Sequence, residues 1–151
     1  MRPILMRMIT DFDTETDTEK RVRRSLESAG VRCTRQRLLM ASIVLRHKQH
    51  LSADQVLALA NQTRQVVSKA TVYNTLGLFA RMGLVREVIV DPQRTFYDSN
   101  VTEHHHIYNE DDGTLTDVGR DEIRIEGLPV LPPGTEVHGV DVVVRVRSRP
   151  V

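Results

Sequence analysis

This chain of 151 residues holds one cysteine, no tryptophan and 4 % aromatic residues. A lone thiol, Cys33, excludes an internal disulfide and fits a reducing compartment, so a cytoplasmic location is expected. Scarce aromatics leave leucine, valine and isoleucine to build the core. No apolar run approaches the ~20 residues that span a bilayer, so no membrane partner is expected. No nucleophile–base pair and no His-Glu-x-x-His motif occurs, which argues against a metal-dependent hydrolase or any other enzyme. Internal repeats and low-complexity tracts are missing too. Residues 1–9 are apolar with two arginines, an acidic run follows at once, and no small-residue cleavage site appears. Residues 1–18 are therefore expected to be a disordered or frayed tail, with Met6 or Met8 as alternative starts.

What is present is a charge asymmetry hidden by a net charge of +1. Residues 20–90 carry 13 basic and 3 acidic side chains, a net of +10. Residues 91–151 carry 6 and 12, a net of −6, and the first 19 residues have a net of −3. A basic half joined to an acidic half suggests one module for a polyanion and a second that need not touch it. A metal-buffering protein would leave the basic half incidental. The length suits one compact domain or two small ones.

Four helices are expected in the basic half. Glu19 to Ala29 has helix formers and is stopped by Gly30. Thr34 can cap Arg35 to about His47, and Ser52 can cap a helix with Ala53, Val56, Leu57 and Ala60 on one face. Ser68 can cap the fourth, which Gly83 ends. In it Val72, Leu76 and Phe79 share one face, while Lys69, Tyr73 and Asn74 lie elsewhere. On that pattern alone an ordinary amphipathic helix accounts for the stretch. Lysine, a phenol and an amide on an open face also suit a DNA major groove. Leu84 to Val90, a turn at Asp91-Pro92-Gln93, and Arg94 to Asp98 then read as a hairpin. A helix followed directly by a hairpin is the layout of a winged helix. Arg32, Arg35 and Arg37 crowd the start of the second helix, as a phosphate grip would.

The acidic half reads as strands. His104 to Tyr108, a turn at Asp111-Asp112-Gly113, and Thr114 to Val118 form two. Val137 to Arg147 alternates and forms a third. Residues 127–134 hold Pro129, Pro132 and Pro133, so they are irregular. A sheet this small must bury a face, and a second copy of the chain is the expected cover. Within the first strand His104 and His106 share a face and His105 points away. Two imidazoles on one face can share a metal, completed by groups from elsewhere. Three exposed histidines would be the plain alternative.

Ala70-Thr71-Val72-Tyr73, the exit Gly83-Leu84-Val85, the hairpin end Phe96-Tyr97-Asp98 and the histidine cluster together resemble the ferric uptake regulator family. The resemblance runs from about Leu26 to Arg147. It implies an α+β fold with an N-terminal winged helix-turn-helix domain over 19–98 and a hinge at 99–103. A small α/β-type dimerisation and sensing domain with a three-stranded antiparallel sheet follows over 104–151. It implies a homodimeric transcription regulator on a palindromic double-stranded DNA operator, probing bases with Lys69, Tyr73 and Asn74. Arg32 and Arg37 match basic positions that reach DNA. A hinge metal site is carried over as His50, Asp98, His104 and His106, with His47, Glu103 and His138 ranked below them.

Three departures from the family stand out. The usual Cys-x-x-Cys reads Asn109-Glu110-Asp111-Asp112, so no structural zinc held by four cysteines is expected. His105 stands where an aspartate usually interrupts the histidines. The proline-rich stretch replaces the dimer-domain helix. In these the chain is most similar to the iron response regulators, which implies haem as ligand, through His104, His105 and His106, or a divalent iron, manganese or zinc ion. The Cys-Pro haem motif of some of these proteins is missing, because Thr34 follows Cys33, and Cys33 reads as a small buried side chain. The alternative within the family is a sensor of zinc, manganese or peroxide.

Overall fold

The computed structural model describes residues 16–150. The expected tail lies outside the described residues except at 16–18, and these already belong to a helix start. The chain divides into two compact units, the first ending at Val101 and the second beginning at Thr102.

In the first unit each helix begins where a side chain takes up orphan backbone donors. Helix α1 (Asp17–Ser28) opens on a capping box. Glu19 N–H donates to Thr16 Oγ1 at 3.2 Å, and Thr16 N–H donates to Glu19 Oε2 at 2.8 Å. The reciprocal pair moves the helix start ahead of the expected Glu19. Helix α2 (Arg35–Val44) is capped by Thr34, which accepts from Arg37 N–H at 3.3 Å. It stops short of the expected His47 because side chains take its last carbonyls. Gln49 Nε2 donates to Ile43 O at 2.6 Å and Val44 O at 3.2 Å. Arg21 Nη2 donates to Leu45 O at 3.3 Å and Arg46 O at 3.0 Å.

Strand β1 (His50–Ser52) was not expected. Three residues are too few for alternation to show in a sequence. Helix α3 (Ala53–Ala60) starts on a Ser52–Gln55 capping box, and helix α4 (Lys69–Arg81) on Ser68, which accepts from Thr71 N–H at 3.1 Å. Between them Asn61 holds the connection in shape. Its Oδ1 accepts from Val66 and Val67 N–H at 2.8 and 3.0 Å, and its Nδ2 donates to Val67 O at 2.9 Å. Strands β2 (Arg86–Asp91) and β3 (Arg94–Asp98) make the expected hairpin. β1 adds to it antiparallel, giving the order β1-β3-β2. Val22, Leu26, Met40, Val44, Val56, Val72, Leu76 and Phe79 fill one buried cluster.

The second unit is a three-stranded sheet, β4 (His104–Asn109), β5 (Leu115–Gly119) and β6 (Val143–Val146), in the order β5-β4-β6. β4 and β5 pair antiparallel, but β6 runs parallel to β4. The expected antiparallel sheet is thus corrected to a mixed one. Residues 120–142 supply a crossover, and a connection of a dozen residues or more is what parallel pairing needs. The expected third strand is also shorter than 137–147. Only 143–146 is ladder-bonded, and Val140 lies outside it. Apart from a 3-10 turn at Arg120–Glu122, the described residues of this unit contain no helix, so the α/β-type expectation for it is corrected as well. Three prolines between 127 and 134 remove donors and fix φ where a helix would have to form. The whole chain remains α+β.

α4 ends in a Schellman motif. Leu84 N–H donates to Phe79 O at 2.9 Å and Gly83 N–H to Ala80 O at 3.1 Å, with Gly83 at φ 76°. A Cβ there would meet nothing within 4 Å, so the only penalty of adding one is backbone strain. Gly83→Ala should therefore destabilise the first unit by about 1–2 kcal/mol, read as a lower urea midpoint at unchanged slope.

Candidate metal centre and nucleic-acid face

Metal-competent side chains gather in each unit. In the first, β1 pairs with β3 so that His50 stands opposite Asp98. His50 Nε2 lies 3.3 Å from Asp98 Oδ2, and the carboxylate is fully buried. Asp98 Oδ1 accepts from Asn100 N–H at 2.8 Å. The next pair along the ladder is tied as well. Ser99 N–H donates to Gln49 O at 3.1 Å, Gln49 N–H to Ser99 Oγ at 3.0 Å, and Ser99 Oγ–H to His47 O at 2.9 Å. Gln49 in turn holds the end of α2, so His50 and Asp98 sit on a braced piece of backbone.

In the second unit, β4 alternation puts His104 and His106 on one face, as expected, and the β4–β5 register sets Asp117 opposite His106. Asp117 Oδ1 lies 3.2 Å from His104 Nε2 and 3.4 Å from His106 Nε2. His104 Nδ1 is 2.6 Å from Thr102 O. A carbonyl can only accept, so Nδ1 carries the hydrogen, and in the neutral ring Nε2 then holds a lone pair. A lone pair facing a carboxylate oxygen calls for a cation between them, a metal ion or a proton. The spacing is compatible with a metal ion. Charge-assisted N–H···O bonds run about 2.7–2.9 Å. Two ligand atoms on one ion at about 2.1 Å lie roughly 3.0–3.4 Å apart in tetrahedral or octahedral geometry. The donor chemistry, imidazole and carboxylate, suits iron, manganese or zinc.

Asp117 escaped the sequence analysis. The sequence marks both strands and their turn but not which residues of the two stand opposite. Counting back from the turn sets residue 117 opposite residue 106. The lower-ranked candidates go elsewhere. Glu103 pairs with Arg120 Nη1 at 2.6 Å, His47 uses its carbonyl to accept from Ser99, and His138 is exposed on the crossover. His105 faces away from Asp117, on the side of its ladder partner Val118.

The residues expected to meet DNA all lie in the first unit. Lys69, Tyr73 and Asn74 are exposed on α4. Lys69 Nζ lies 5.8 Å from the Tyr73 ring centroid and 3.8 Å from Asp54 Oδ1. Both ends of that ion pair are well solvated, so it holds the lysine only weakly. Tyr97, on the hairpin, has its phenol pushed above the ordinary value by burial first and then by the charges of Glu87 and Tyr73. Arg32 is exposed, and Arg37 is half-buried with Nη1 donating to Arg32 O at 3.0 Å. Gln36 was not singled out by sequence. Its Nε2 donates to Val66 O at 3.0 Å and so ties the first turn of α2 to the segment leading into α4. Cys33 is half-buried rather than buried, and Arg23 Nη1 reaches its Sγ at 3.4 Å.

A model of the ferric uptake regulator family matches residues 28–141. The chain belongs to the ferric uptake regulator family. That family comprises metal-responsive transcription regulators. Among curated relatives, the peroxide-responsive repressor PerR of Staphylococcus aureus is 32 % identical over 93 residues, 62 % of this chain. The chain spans 63 % of that repressor's length. Among solved structures, the ferric uptake regulator of Pseudomonas aeruginosa with manganese has a TM-score of 0.63 at 23 % identity, over 85 % of this chain and 98 % of that one. That of Francisella tularensis with iron has a TM-score of 0.62 at 18 % identity, over 80 % and 93 %. These two likenesses show the fold. No helix among the described residues is long and apolar enough to cross a membrane.

The cluster in the second unit generates a direct expectation. Asp117→Ala should weaken manganese or zinc binding at least about tenfold, by isothermal titration, with the far-UV circular dichroism unchanged. Unchanged affinity would remove Asp117 from the site.

Proposed function

We propose that this chain is a transcription regulator that binds a palindromic double-stranded DNA operator as a homodimer, acts as a repressor, and takes a divalent cation as its signal. The observation that carries the metal reading is the spacing of imidazole nitrogens and carboxylate oxygens. The distances of 3.3, 3.2 and 3.4 Å are long for ion-pair hydrogen bonds and right for shared ligands. The first unit offers two donors and the second three. The family resemblance implies that one ion takes ligands from both sets. An ion bound by both sets favours one arrangement of the units over others. Such differential affinity couples metal to DNA, and the coupling is reciprocal.

The DNA reading is supported by the net charge of +10 over residues 20–90 and by the exposed Lys69, Tyr73 and Asn74. Arg32 and Arg37 would grip phosphate, and the histidine pair, His50 and Asp98 would hold the ion. The homodimer rests on the small sheet of the second unit and on the geometry of palindromic sites, which a two-fold dimer matches. Haem is the ligand of the iron response regulators that the chain resembles. His104, His105 and His106 are 4–6 % exposed, which favours a bare ion over a macrocycle. Peroxide is the alternative signal, favoured by the curated relatives, and it would act through a redox-active ion at the same donors.

The test is operator affinity of wild type and of His104→Ala/His106→Ala, measured without ligand and with manganese, zinc, ferrous iron or haem. Wild type should respond to at least one divalent ion by about tenfold or more, and the double mutant to none. A wild type indifferent to every ion would end the sensor reading, and a response to haem alone would restore the haem reading. Tyr73→Ala and Asn74→Ala should each cost about 1–3 kcal/mol at the operator, whereas Arg37→Ala should weaken all sequences and flatten the salt dependence.

A further inference from the structure

His105 is buried at 6 % exposure, carries a titratable ring, and takes no part in the donor cluster around Asp117. Its surroundings show another use. Val142 N–H donates to His105 Nδ1 at 3.2 Å. The carbonyl of the same Val142 accepts from His106 N–H at 3.1 Å. One residue at the entrance to β6 is thus gripped at both its backbone polar groups by two consecutive residues of β4. We infer that His105 is the positioning residue that sets the register of β6 against β4, and not a ligand of the bound ion or of haem.

The chemistry follows from the direction of the bond. A backbone N–H can only donate, so His105 Nδ1 presents its lone pair to Val142 and the hydrogen of the neutral ring sits on Nε2. That lone pair is spent on Val142. The ring also lies on the opposite side of the strand from Asp117, because successive side chains of β4 alternate. Register needs a pin here. β6 arrives after a proline-bearing crossover, pairs parallel over four residues, and carries valine at three of them. A slip by one residue would exchange the row Val142, Val144 and Val146 for the row holding Val143 and Arg145, and with Val144 and Val146 at 40 % and 38 % exposure apolar burial opposes it only weakly. A buried polar contact that is satisfied in one register only is a known way to choose among near-equal pairings. The grip on Val142 sets His106 opposite Val143, and with it the edge of β4 away from β5.

The experiment uses the full chain with His105→Asn and His105→Leu, His104→Ala serving as the ligand-loss control. An asparagine Oδ1 falls near the place of Nδ1 and can accept from Val142, whereas leucine cannot. Three quantities are read: amide hydrogen exchange at Val142 and Val143, the nitrogen-15 resonance of His105 Nδ1, and manganese affinity. A positioning role gives a protected Val142 amide in wild type and in His105→Asn, and exchange at least about tenfold faster in His105→Leu. It gives an unprotonated, pyridine-type Nδ1 resonance in the metal-free protein, and manganese affinity in His105→Asn within about twofold of wild type. Equal Val142 protection in all three proteins would overturn the inference. So would a manganese loss in His105→Asn as large as in His104→Ala. The exchange and resonance measurements need no metal, so a chain that bound no manganese would sink the sensor reading and leave this one to stand or fall separately.

Discussion

The first unit depends on the pairing of β1 with β3. β1 is three residues long, yet it sets His50 opposite Asp98, and the neighbouring Gln49 and Ser99 lock their backbones together. Without that lock the buried Asp98 carboxylate would lose His50 as a partner, a costly change. Gln49 also closes the end of α2, whose first turn Gln36 ties to the approach of α4. The short strand therefore brackets a run of contacts that passes from a metal-competent pair, along one helix, to the start of the helix with the exposed lysine and tyrosine. Each contact is a hydrogen bond to backbone, which is why so little of it depends on apolar burial.

Helix starts were legible in the sequence because they are written in single side chains. Thr34, Ser52 and Ser68 cap the helices expected of them, and Gly83 ends α4 for the reason that makes glycine usual there. The β2–β3 hairpin was legible for the same reason, through its turn residues. What could not be read depends on partners distant in the chain. α2 is cut short by Gln49 and Arg21, neither of which belongs to it. β1 exists only because β3 lies beside it. The direction of β6 is set by how a long crossover returns, and alternation of valines is the same for parallel and antiparallel strands.

The candidate site was legible in part. His104 and His106 follow from alternation alone, and His50 and Asp98 came from resemblance rather than from any local pattern. Asp117 needed the β4–β5 register, which a sequence implies only once the turn between the strands is counted through. His105 was grouped with its neighbours because a triplet of like residues invites one explanation. The strand separates them, sending two to a carboxylate and one to a peptide N–H.

The parallel edge strand also orders events in time. β4 and β5 are joined by a tight turn, a closure on the microsecond scale once both strands exist. β6 must bring Val142 to His105 across 37 residues, a slower and entropically dearer closure. His104, His106 and Asp117 come together through that turn alone and need no residue of β6. The donor cluster can thus form on a two-stranded ribbon, and the third strand arrives last, onto a frame that the histidines have already shaped.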